Sequence, residues 1–188
     1  MRRGTAECQR RGFPALTLLI LLLASPEIFC TPASKAGTSK IRPRANPAPA
    51  FTFEMRSEML IIHNSIRSKV NLPPLQWSGE LAAISQKWAD TLIAKNASAH
   101  NPASPYGENI FIAGPGATPT KVVQEWESES LAYSYRTNAC AGDDCGHYTQ
   151  IVWRSSQKVG CGVARTPRRE VWVCSYDPPG NYRNEWPY

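Results

Sequence analysis

The stretch "CGHYTQIVW", Cys145–Trp153, sets an imidazole directly after Gly146 and at the head of an apolar run. A histidine so placed serves as a metal ligand, as an acid–base group near neutral pH, or as a hydrogen-bonded core residue. The choice depends on what stands beside it. Glu129 is one candidate. In "VVQEWESESLAY", Val122, Trp126, Glu129 and Tyr133 fall at steps of four, three and four, so a helix would place them on one face. A carboxylate on an apolar stripe needs a charge partner or hydrogen bonds, and a rim residue bonded to a backbone amide meets that need equally well. Glu125 and Glu127 fall off the stripe and read as solvated. Glu108, at the entry to a strand in "GEN", and His100, just past a helix in "SAHNP", carry little signal alone. His63 lies between Met59 and Ile66 on a buried helical face and reads as a satisfied core histidine.

The elements that must position these groups are legible in outline. Met55, Met59, Ile62, Ile66 and Val70 recur at helical spacing, and Pro73 and Pro74 end that helix. Ser78 caps a second helix through about Lys95, with Leu81, Ile84, Trp88 and Leu92 expected inward. "YGENIFIAG" alternates and predicts a short strand around Asn109 to Ile112. Thr118 followed by Pro119 starts a third helix, expected to run to about Tyr133. A helical turn over "HYTQIVW" and a hairpin over "KVGCGVARTPRREVWVCSYD" follow. Helices and strands mix without a βαβ rhythm, which predicts an α+β fold with an antiparallel sheet.

Composition narrows the function. Four arginines precede the apolar run "FPALTLLILLLA". That pattern predicts a signal peptide over residues 1–30, the run being short for a membrane span. Residues 31–50 are rich in Pro, Ala, Ser and basic residues and predict a disordered linker. The domain is expected over residues 51–188. There 13 Lys and Arg balance 13 Asp and Glu, so the formal +6 belongs to the leader and linker. A neutral domain argues against nucleic acid as a partner, while a basic tail suits an anionic membrane or wall polymer. With Cys8 and Cys30 assigned to the leader, four cysteines remain for two disulfides in a secreted chain. Three pairings exist. Local geometry favours Cys140–Cys145 and Cys161–Cys174, the second stapling the hairpin. Zinc-type knuckle spacing is absent from these four. Asn96-Ala97-Ser98 is an N-glycosylation sequon.

"GHYTQIVW", "VGCGVA" and "VCSYDPPGNY", with "HNSIR" and "GENI" before them, resemble the CAP superfamily. That superfamily joins the cysteine-rich secretory proteins, the insect venom allergens and the plant pathogenesis-related proteins of class 1. The likeness covers about residues 53 to 188, and the ending "PGNYRNEWPY" is most similar to the plant class. The resemblance implies a three-layer α-β-α sandwich with a central antiparallel sheet and a cleft lined by two histidines and two glutamates. The matching positions are His100, Glu108, Glu129 and His147. Such a set suits a divalent metal such as Zn²⁺, with the glutamates as ligands or as acceptors that fix the ring tautomers. General acid–base chemistry in a metal-dependent hydrolase is the alternative. The resemblance implies a binding protein rather than an enzyme, with a sterol, a fatty acid, a microbial membrane or a receptor as partner. Plant members carry a third disulfide; the two cysteines that would form it are both absent here, a loss worth about 2–5 kcal/mol. Plant members also release a C-terminal signalling peptide. Its counterpart here is Pro178–Tyr188, after a junction at Asp177, unless that segment simply packs on the domain.

Overall fold

The computed structural model describes residues 51–188. The expected signal peptide and linker, with Cys8 and Cys30, lie outside the described residues. Helix α1 spans Phe53–Lys69, strand β1 Gln76–Trp77, helix α2 Gly79–Lys95 and strand β2 Gly107–Ala113. Helix α3, Pro119–Ser128, runs into a 3₁₀ turn at Glu129–Leu131. A small hairpin, β3 Tyr133–Ser134 and β4 Ala139–Cys140, precedes helix α4, Gly146–Ile151. The long hairpin of β5, Lys158–Arg165, and β6, Glu170–Asp177, completes the set.

The helix starts follow from their caps. Thr52, Ser78 and Thr118 each accept the backbone N–H three residues on with the side-chain hydroxyl, satisfying a donor that the first turn leaves free. Asn96 closes α2 in the left-handed conformation, φ 48°.

The main sheet has the order β1-β5-β6-β2. It is antiparallel throughout except for the two-residue β1, which pairs parallel to β5. Strands β5 and β6 are buried along almost their whole length because both faces of the sheet are covered. Ala89 and Leu92 of α2 pack on Ala164, Val171 and Val173. On the other face Met59, Ile66, Val122, Trp126 and Ile151 of α1, α3 and α4 pack on Val163, Trp172 and Tyr176. This is the α-β-α sandwich.

Two expectations need correction. The buried stripe of α2 is Leu81, Ser85, Ala89 and Leu92, with Ile84 and Trp88 only half-buried. The cause lies in β5. A Cβ on Gly160 would come within 2.2 Å of the Ala82 nitrogen, and one on Gly162 within 2.4 Å of the Gln86 Cα. The helix backbone sits directly on the strand, so only small residues fit at the centre. Ser85 Oγ hydrogen-bonds the Gly160 carbonyl at 2.8 Å, and Gln86 brackets both backbone groups of Val163. Helix α3, in turn, stops at Ser128 rather than near Tyr133. Ser128 Oγ donates to the Glu125 carbonyl at 2.6 Å, and Glu129 is drawn away to a different helix.

Disulfides join Cys140 to Cys145 and Cys161 to Cys174. The second lies across a directly opposed pair of β5 and β6.

Candidate functional site

His147 is the second residue of α4, a helix whose cap position, Cys145, offers no side-chain hydrogen bond. Glu129 supplies what is missing. Its Oε2 accepts the backbone N–H groups of His147 and Tyr148 at 2.9 and 3.0 Å, and its Oε1 accepts His147 Nδ1–H at 2.6 Å. The carboxylate thus caps the helix from outside, where the dipole favours negative charge, and orients the ring. Trp126 stacks on that ring, with centroids 6.0 Å apart and planes inclined by 14°. The helical periodicity led to Glu129 although α3 ends just before it.

His100 stands on the loop between α2 and β2. Its Nδ1–H donates to Glu108 Oε1 at 2.8 Å, and the same oxygen accepts the Asn101 N–H at 3.0 Å. The Glu108 side chain is 6% exposed and the imidazole 70%. The hydrogen bond to Glu108 raises the His100 pKa above 6.5, with smaller contributions from the Glu108 and Asp144 charges against the opposing effect of burial.

Both imidazoles line one open cleft of about 480 Å³. Its other wall is the chain end, including Asn181, Tyr182, Asn184 and Glu185. Asp144, from the loop closed by the Cys140–Cys145 disulfide, also faces it. The structure therefore brings His100, Glu108 and His147 to one cleft, with Glu129 directly behind His147. Glu125 is paired at 4.0 Å with Lys121, and Glu127 at 2.6 Å with Lys69.

With each Nδ1 committed to a glutamate, each Nε2 is left as the ring's free lone pair. The two glutamates act as acceptors that fix the tautomers. Among the described residues no group of three or more His, Cys, Asp or Glu is arranged to hold a metal ion. Two imidazoles with their glutamate acceptors do not make a closed, four-ligand structural zinc site; a divalent ion there would draw on His100 and His147 and would complete its shell with water or a bound molecule.

The remaining candidates lie elsewhere. Asn96 is exposed, and its amide oxygen accepts from the Arg169 guanidinium, which leaves the amide nitrogen, the atom a glycan would modify. At the junction before the chain end, the Asp177 carbonyl accepts from Gln157 N–H at 2.9 Å and the Pro178 carbonyl from Ser156 Oγ at 2.8 Å.

Sequence reasoning missed the residues that hold the site together. Arg67 is buried, and among the described residues no carboxylate forms an ion pair with it. Its guanidinium donates to the carbonyls of Pro73, Ile151, Trp153 and Ser156 at 2.8–3.1 Å, tying α1 to the end of α4. Burial lowers its pKa to about 10. Asn109 and Tyr176 were missed as well. Their presence in "GENI" and "VCSYD" was the only hint.

The profile of the cysteine-rich secretory protein family matches residues 60–176. Pathogenesis-related protein 1 of Arabidopsis thaliana is 41% identical over 141 residues, covering 74% of this chain and 86% of that protein. The basic form of pathogenesis-related protein 1 of Nicotiana tabacum is 39% identical, covering 67% and 71%. Among solved structures, the protein MpPR-1i superimposes with a TM-score of 0.53 at 27% identity, over 69% of this chain and 91% of that one. The structure of NaASP2 with Zn²⁺ superimposes at 0.59 and 22%, over 76% and 88%, a likeness of fold alone. The chain belongs to the cysteine-rich secretory protein (CAP) family, among relatives of the pathogenesis-related protein 1 type.

Proposed function

We propose that this chain is a secreted, defence-related protein whose cleft captures a divalent cation through His100 Nε2 and His147 Nε2. The observation that carries the reading is the pairing of each Nδ1–H with a glutamate, which turns both Nε2 lone pairs over to a ligand. The names of the relatives support the defence role. A bound cation would supply positive charge and open coordination positions to a second molecule in the cleft. His100 and His147 hold it, Glu108 and Glu129 orient the rings, and Asp144 adds negative charge nearby. Neither imidazole is hydrogen-bonded to a Ser, Thr or Cys side chain among the described residues, so the geometry favours binding over nucleophilic hydrolysis. Calorimetric titration of the purified domain with Zn²⁺ tests the reading. One site is expected, weakened about tenfold or more by His100→Ala or His147→Ala; equal affinity in wild type and both variants would sink it.

A second reading concerns lipid. The cleft is polar, but Phe51, Phe53 and Trp77 line a separate, more apolar groove beside α1, with Phe53 72% exposed. This groove suits a sterol or fatty acid, or contact with a microbial membrane. Saturable binding of a labelled sterol that Phe53→Ser diminishes would support it. Binding that unlabelled sterol does not compete would remove it.

A further inference from the structure

We propose that His63, Tyr176 and Asn109 form a buried brace whose task is to position His147 against His100. Its functional use rests on the cation-binding reading above, but its geometry does not.

The direction of every hydrogen bond in the brace is fixed. The Met59 carbonyl only accepts, so His63 Nδ1 carries the proton that meets it at 2.8 Å. Burial pushes the His63 pKa down to about 4, so the ring is neutral and its Nε2 accepts. The donor is the Tyr176 hydroxyl, at 2.8 Å. The Tyr176 oxygen then accepts one N–H of the Asn109 side chain at 3.2 Å. The other N–H of the same amide reaches the His147 carbonyl at 3.0 Å. His63 and Tyr176 are fully buried and Asn109 nearly so. Removing any one partner would leave a buried polar atom unpaired, which is costly.

The consequence appears at β2. Glu108 and Asn109 are consecutive residues of one strand and point to opposite sides. Glu108 reaches the ring of His100, and Asn109 reaches the peptide of His147. One dipeptide therefore spaces the two imidazoles. Its register is set by pairing with Ser175 and Cys174 of β6, next to Tyr176. The peptide of His147 is held at both ends, its N–H by Glu129 and its carbonyl by Asn109. A helix of only six residues gains a fixed azimuth in this way, with His63 and Tyr176 acting from behind the cleft and Asn109 standing in its wall.

The test compares wild type with Tyr176→Phe, which keeps the ring and removes the hydroxyl, and with Asn109→Ser. Thr91→Ala, which removes a hydroxyl bonded to the Lys87 carbonyl within α2, serves as the control. In the metal-free protein, the imidazole ¹⁵N–¹H signals of His147 should shift in both brace variants, while those of His100 stay in place and the control moves neither. Zn²⁺ affinity should fall about tenfold in both brace variants, as for other outer partners of ligating histidines. Unchanged His147 signals in both variants would overturn the proposal, as would equal displacement of His100 and His147. If wild type takes up no Zn²⁺, the cation reading fails alone, and the ring spectra still decide the brace. If a brace variant does not fold, the wild type decides: the His63 ring must carry its proton on Nδ1, with a slowly exchanging Tyr176 hydroxyl bonded to Nε2. A proton on Nε2 overturns the brace.

Discussion

Glu129 meets three hydrogens with two oxygens, and each of the three bonds anchors the start of α4. Glutamine in its place keeps one accepting oxygen and turns an NH₂ toward the helix N–H groups or the ring. Glu129→Gln is expected to cost about 1–3 kcal/mol of stability, read by urea unfolding. Faster hydrogen exchange at the amides of His147 and Tyr148 should accompany the loss; unchanged protection there would contradict the capping role. His63 gives the molecule an acid limit. Its neutral form is the one the fold accepts, with a pKa near 4 against 6.5 in an unfolded chain. Below pH 6.5 the unfolded chain binds a proton that the folded one refuses, so stability falls from pH 6.5 to about 4 and then levels off. The loss amounts to about 3 kcal/mol. The difference in stability between wild type and His63→Gln, followed from pH 7 to pH 4, should change by roughly that amount, and parallel curves would refute it.

Between elements, α2 sits with its backbone directly on β5. Gly160→Ala or Gly162→Ala forces a methyl against helix backbone and should cost about 1–3 kcal/mol or more by overpacking, measured as a fall in Tm. The same contact shows where sequence reading stops. Caps are local, and Ser78 and Thr118 were legible as hydroxyl residues ahead of periodic runs, while Thr52 was found only in the structure. The inward face of α2 was not, because it depends on two glycines more than seventy residues further on. Ile84 and Trp88 have the right periodicity but no room. The end of α3 was hidden for a similar reason: Glu129 continues the helical stripe in sequence, yet its partners are the amides of α4. At the site, His100, Glu108, Glu129 and His147 were visible through their motifs. The bonds that link His63 to Tyr176, and Asn109 to Tyr176 and His147, were not, since each joins a different pair of elements.

The whole domain closes on its own chain end. Thr149 Oγ1 donates to Asn181 Oδ1 at 2.7 Å, and the Asn181 amide donates to the Gly146 carbonyl at 2.8 Å. Gly180 N–H reaches Gln150 Oε1 at 3.0 Å, and Trp186 Nε1–H reaches the Tyr135 carbonyl at 2.9 Å. Tyr188 stacks on Tyr135 with centroids 4.5 Å apart, and Pro187 is buried. A chain ending at Asp177 is expected to unfold at a lower temperature than the full domain and to bind the fluorescent dye ANS through the exposed ring of Trp153; equal melting would show the segment to be dispensable. Because this segment is also a wall of the cleft, cutting and occupancy are thermodynamically linked. A ligand that touches both the imidazoles and Tyr182 or Glu185 binds only the docked state and holds the end in place by RT ln(1 + [L]/Kd), about 2.7 kcal/mol at a hundredfold excess over Kd. Where cutting requires the end to detach, that corresponds to about a hundredfold slower proteolysis. The chain end would then report what the cleft contains, a filled molecule being cut about a hundredfold more slowly than an empty one.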